Sequence, residues 1–166
     1  EIYTLSLHDA LPILAFCGDA ATVLPTLPHQ HLIYLDPARR DVHGGKTVAI
    51  EDCTPNLLEL NDLLLEKGDT VMVKLSPMLD IKQAVSLLKG VGEVHIVSWM
   101  GECKELLFVM RGGTTMVEPT LHCVNLPDES TTLVLTASEE RNAECHYTAA
   151  LGQYLYEPNA SVMKAS

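Results

Sequence analysis

The sequence predicts an α/β fold, an open sheet of parallel strands that ends in an antiparallel hairpin. Three observations carry this expectation. Two short apolar runs, HLIYL and TVMVKL, each lead into a proline turn, at Asp36-Pro37 and Ser76-Pro77, as strands buried in a parallel sheet do. Segments with apolar residues at helical spacing follow each of them. Two further strand-like runs, 93–99 and 104–111, are separated only by the short turn 100–103, too little chain for a crossover helix.

Taken in order, residues 1–13 (EIYTLSLHDALPI) match the in-frame translation of a widely used sequencing-library adapter, and we read them as an adapter-derived artefact outside the fold. Residues 14–17 read as the end of a buried strand, and 19–27 as a short link closed by Pro25 and Pro28. The run 31–35 is the next strand. The loop after Asp36 is polar and carries Gly44-Gly45.

Thr54 is then a good helix N-cap with Pro55 at the first helical position. Leu57, Leu60 and Leu64 share one face of that helix, and Glu59, Asp62 and Glu66 another. Gly68 is placed to end it. After the strand 70–75, Ile81, Ala84, Val85 and Leu88 give the stripe of a second amphipathic helix, stopped at Gly90. The hairpin follows, with Trp99 and Phe108 as expected core residues.

Gly112-Gly113 marks the expected boundary of this unit. Beyond it lie strand-like runs near 115–124 and 131–137, then a segment rich in Ala and Tyr, and finally a helix start at Glu157-Pro158-Asn159.

Composition narrows the function classes. The formal net charge of −11 argues against a broad cationic surface for nucleic acid, because such binding works by Lys and Arg displacing phosphate counterions. No apolar run approaches the roughly 18 to 20 residues of a membrane-spanning helix, so the expectation is a soluble, cytoplasmic protein. Cys17, Cys53, Cys103, Cys123 and Cys145 are odd in number and hold no C-x-x-C pair, which suits reduced thiols. The histidines His29, His31, His43, His95, His122 and His146 show no metal-ligand spacing, and no metal is expected.

In open α/β sheets, ligands bind beyond the carboxyl ends of the parallel strands. Three places qualify: Gly18-Asp19-Ala20, Asp36-Pro37-Ala38-Arg39 and Lys74-Leu75-Ser76-Pro77. Pro37 stiffens its turn, and Asp36 there can accept a hydrogen bond or a proton from a reacting group. Arg39 and Arg40 suit a phosphate, though an ordinary solvated loop is the favoured reading of the two. Lys74 suits a phosphate or a carboxylate, and equally a strand-end lysine that snorkels. Glu51-Asp52 fit the positive end of the following helix dipole. Ser76 lacks the G-x-S-x-G surroundings of a nucleophile and reads as a strand end.

The acid followed by Pro after the strand resembles the fourth motif of class I S-adenosylmethionine-dependent methyltransferases. The longer runs LIYLDPARRDVHGGKTVAIEDCTPN (32–56), VKLSPMLDI (73–81) and GECKELLF (101–108) resemble one bacterial family of these enzymes, whose members end in ferredoxin-like and THUMP-like domains. YLYEPNASVMKA (154–165) is similar to the start of the THUMP-like domain, and 118–152 to the ferredoxin-like one.

The resemblance implies a truncated Rossmann-like methyltransferase sheet, its C-terminal half, at 14–111. A small α+β ferredoxin-like segment would follow at 112–153, and the start of a THUMP-like domain at 154–166. It further implies S-adenosyl-L-methionine as cofactor, touched by Gly18, Asp19, Ala20 and Asp36. Asp36, Pro37, Ala38 and Arg39 would face the transferred methyl group, and Arg39, Arg40 and Lys74 the substrate, an RNA. Ala38 departs from the pattern of amine-methylating relatives, which have a second proline there. The family's glycine-rich cofactor loop has no counterpart in this sequence, which implies an inactive fragment. Two other readings remain at this point: an ATPase fragment of the P-loop type with Asp36 as its metal-binding acid, and a non-catalytic RNA-binding protein retaining the fold.

Overall fold

The structure, a computed structural model, describes residues 2–5, 13–39, 49–113, 118–126, 132–144, 146–150 and 152–166, with the backbone alone for 2–5 and 39. The expected α/β architecture is present. Its centre is a mixed six-stranded sheet.

Strands β1 (Ile2–Leu5) and β2 (Ile13–Phe16) stand apart as an antiparallel pair. This corrects the expectation of a buried strand at 14–17. Leu14 is 58% exposed and Phe16 42%, because β2 pairs with β1 and does not enter the main sheet. The segment read as adapter-derived thus supplies β2 with its hydrogen-bonding partner.

Helix α1 (Ala20–Val23) and a 3-10 turn (Leu24–Thr26) lead to β3 (Gln30–Leu35). Two short strands, β4 (Ala38–Arg39) and β5 (Cys53–Thr54), pair with each other and precede α2 (Leu57–Lys67). Strand β6 (Gly68–Leu75), helix α3 (Ile81–Leu87) and the hairpin of β7 (Val91–Trp99) and β8 (Glu102–Met110) follow. The chain then adds β9 (Thr120–Leu126), β10 (Leu133–Thr136), α4 (Ala137–Asn142) and α5 (Ala160–Ala165).

The main sheet has the order β10-β9-β7-β8-β6-β3. Strand β3 is parallel to β6, and β7 is parallel to β9, while β8 runs antiparallel between β6 and β7. The four strands β3, β6, β7 and β9 therefore all point the same way, and their carboxyl ends share one edge. Strand β9 joins this sheet directly, so the chain past Gly113 extends it through β7.

Sequence explains most elements locally. Leu57, Leu60 and Leu64 of α2 are buried, as their spacing requires, and Glu59, Asp62 and Glu66 are exposed. The N-cap of α2 is Asn56, however, whose Oδ1 accepts from the Leu58 N–H at 3.0 Å. Thr54 is taken up by the β4–β5 ladder opposite Ala38, and Asn caps as well as Thr does. Glu51 and Asp52 lie in a separate 3-10 turn (Ile50–Asp52), beyond reach of the α2 dipole, which fades outside the first turn. Glu59 occupies that acidic position instead.

Met100 and Gly101 have φ of 53° and 80°, and Trp99 pairs with Glu102. A two-residue loop with both central residues left-handed matches the right-handed twist of a hairpin. Gly90, at φ 76°, turns the chain into β7, and a Cβ there would stand 2.7 Å from the Arg111 carbonyl oxygen. Asn61, buried in α2, holds the same corner: its Oδ1 accepts from the Lys89 N–H at 2.6 Å.

Alternation sorts the sheet into two faces. Val71, Val73, Leu75, Val94, Ile96, Leu106, Phe108 and Met110 are buried against residues of α2, α3 and α5. Full burial of a side chain such as Phe108 stabilises by roughly 1.5–3 kcal/mol over leaving it exposed, so this layer dominates the fold. The opposite face carries Leu32 and Tyr34, both about half exposed, then Lys74, Leu107, Glu93, His95 and His122. No helix among the described residues is long and apolar enough to cross a membrane.

Candidate active site at the carboxyl edge of the sheet

Parallel pairing of β3 with β6 sets Leu35 beside Val73. The next residues along, Asp36 and Lys74, therefore come together on the more exposed face. Lys74 Nζ lies 2.7 Å from Asp36 Oδ2 and 3.9 Å from Glu105 Oε2 on β8. An acid, a base and an acid thus span three neighbouring strands at the carboxyl edge. The hydrogen bond to Asp36 raises the Lys74 ammonium above its ordinary range, against the opposing effect of burial. Lys74 stays a fixed cation near neutral pH.

The loop after Asp36 is pinned from both sides. Pro37 is buried, Ala38 pairs with Thr54, and Arg39 with Cys53, itself buried. Stiff proline backbone plus a short ladder holds the Asp36 Cα in place. The carboxyl side chain remains 51% exposed, so it stays accessible while its position is fixed.

The other expected site residues divide as follows. Asp19 is the N-cap of α1, its Oδ1 accepting from the Ala21 N–H at 2.8 Å, between exposed Gly18 and half-buried Ala20. Its carboxylate serves a local cap, and the structure does not join it to the Asp36–Lys74 pair. Ser76 is buried and its Oγ accepts from the Met78 N–H at 3.2 Å, a turn-forming role. The side chain of Arg39 and the whole of Arg40 lie outside the described residues.

A groove of about 750 Å³ opens between α3 and the approach to β9, lined by Lys82, Leu88, Lys89, Val91, Glu118 and Pro119. It borders the start of β7, so it lies at the amino end of the parallel strands. Chemistry in this fold class resides at the other edge, and size alone gives the groove no part in it.

Sequence reasoning missed the acid that completes the row, Glu105. It also missed a second cluster, Glu93, His95 and His122, whose ligand-type atoms lie within 4.8 Å of one another. Glu93-x-His95 on one strand was the visible half of that signal. His122 comes from β9, directly opposite His95, and only the strand pairing reveals it.

Comparison with solved structures adds the decisive observation. Over 89% of its length the chain superposes on the crystal structure of a "putative methyltransferase" from Porphyromonas gingivalis W83, with a TM-score of 0.77 and 36% sequence identity. The chain has a methyltransferase-type fold. It spans 37% of the length of that protein. No family model matches the chain, and no curated protein does.

Proposed function

We propose that this chain is part of an S-adenosyl-L-methionine-dependent methyltransferase acting on RNA, with Asp36 at the reacting centre. The observation that carries the reading is the placement of Asp36, fixed by Pro37 and Lys74 at the carboxyl edge of the parallel strands in a chain of methyltransferase-type fold. The cofactor supplies an electrophilic methyl group on a sulfonium. Gly18, Asp19 and Ala20 at the start of α1 suit its adenosine side, and Asp36 its methyl side.

Asp36 accepts a hydrogen bond from the nucleophile and orients it. Proximity and alignment of this kind account for most of the acceleration in a displacement reaction. Because Lys74 already donates to Asp36, the carboxylate serves better as an orienting acceptor than as a strong base. Arg39 and Arg40, which follow Ala38 in sequence, meet substrate phosphate.

RNA is supported by the similarity of 154–165 to a THUMP-like domain start, and the same resemblance supports a ferredoxin-like assignment for 112–153. With no glycine-rich loop among its 166 residues, this polypeptide by itself holds the cofactor weakly and is inactive. Calorimetric titration of this chain and of the longer Porphyromonas protein with S-adenosyl-L-methionine, alongside a methyl-transfer assay on RNA, tests the reading. Binding by the longer protein and weak or no binding here is the expected result. Absence of binding in both removes the methyltransferase, MgATP binding favours an ATPase, and turnover by this chain alone refutes its inactivity.

A further inference from the structure

We propose that Glu93, His95 and His122 form a binding site for a first-row divalent transition-metal ion of the zinc type. The three side chains project from the same sheet face at the junction of β7 and β9. Parallel register places His95 beside His122, and period-two alternation places Glu93 next to His95 along β7.

The distances fit ligation. Glu93 Oε2 lies 3.1 Å from His95 Nε2 and 3.8 Å from His122 Nε2. Two ligand atoms on a tetrahedral ion with bonds near 2.0–2.1 Å stand about 3.3–3.4 Å apart, and the observed pair of distances brackets that value. The two imidazoles stack with centroids 4.3 Å apart and planes 9° from parallel. Both Nε2 atoms lie near the same carboxylate oxygen, and rotation of one ring about χ2 brings its in-plane lone pair onto an ion held by the other.

Arg111 Nη1 donates to Glu93 Oε1 at 2.9 Å. The same contact fixes the carboxylate orientation, as outer partners of metal ligands do. Its positive charge also opposes the ion, which places the affinity below that of a closed structural site. Two imidazole nitrogens select zinc, copper, nickel or cobalt over magnesium or calcium. Three protein ligands at side chains only a quarter to a third exposed leave room for a fourth, water or an incoming group.

The test is titration of the whole 166-residue chain with Co²⁺ followed by visible absorption, then displacement with Zn²⁺. One ion per chain with tetrahedral d–d bands is the expected result. His95→Gln and His122→Asn should each weaken binding by about tenfold or more, with unchanged circular dichroism as the check on folding. His31→Asn is the control, since His31 faces Asp69 on the distant β3 edge. Unchanged binding in both site variants, loss of binding in His31→Asn, or no stoichiometric Co²⁺ binding by the parent chain overturns the proposal. A variant that fails to fold is replaced by Glu93→Gln, read in the same way.

Discussion

Lys74 on β6 and Asp36 at the end of β3 face each other at 2.7 Å, joining two parallel strands at the edge where this fold class places its chemistry. Asp36 is half exposed and Lys74 28% exposed, which limits the energetic weight of the pair. Asp36→Asn or Lys74→Met should cost less than about 1 kcal/mol of stability at neutral pH. The folded pKa of Lys74 lies above 10.5, so its contribution is complete below 10.5 and disappears as pH rises through the folded value. Urea unfolding of parent and Asp36→Asn should therefore differ at neutral pH and converge in strong alkali.

The cap of α2 offers a direct comparison of two adjacent candidates. Asn56→Ala should destabilise by about 1 kcal/mol, because it strips the Leu58 N–H of its acceptor. Thr54→Ala changes an exposed side chain whose backbone pairing with Ala38 persists, so it should stay within about 0.5 kcal/mol. Chemical denaturation of both variants decides between the two positions.

Gly90 and Gly101 both sit at positive φ, yet only one is crowded. A Cβ at Gly90 meets the Arg111 carbonyl at 2.7 Å, and at Gly101 it meets nothing within 4 Å. Gly90→Ala should cost more than about 1 kcal/mol, and clearly more than Gly101→Ala. Thermal melts of the two variants give the order.

Acid should loosen the β10–α4 corner. Ser138 and Arg141 lower the Glu118 pKa, and the backbone and hydroxyl of Thr136 lower that of Glu139 in a capping box. Both folded values lie below the ordinary 4.5. Their stabilisation is complete above that pH and is lost as pH falls through the folded values. Unfolding curves recorded between about pH 6 and pH 3 should show a shallower decline for a Glu118→Gln/Glu139→Gln double variant than for the parent.

How much of this could be read in advance depended on whether the signal was local. The Leu57, Leu60 and Leu64 stripe and the Ile81 to Leu88 stripe are patterns within one segment, and each appeared where expected, as did the hairpin, although its turn is Met100-Gly101 and not the expected 100–103. Asp36 at a strand end was legible for the same reason. Its contact with Lys74, the stack of His95 on His122 and the addition of β9 to β7 depend on strand register, which periodicity does not encode. The burial expected of residues 14–17 failed for a related cause. An apolar run specifies a strand, while its exposure depends on what lies beside it, and here that is β1.

Strand β3 closes the main sheet on one side, and within that sheet it pairs only with β6. Among the described residues no strand pairs with its outer margin along QHLIYL, and Leu32 and Tyr34 are about half exposed beside it. An open strand margin with apolar side chains beside it is a template for another copy of the same strand. In concentrated solution the chain should grow by edge-to-edge joining at β3, and a charge placed at Leu32 should keep it dispersed.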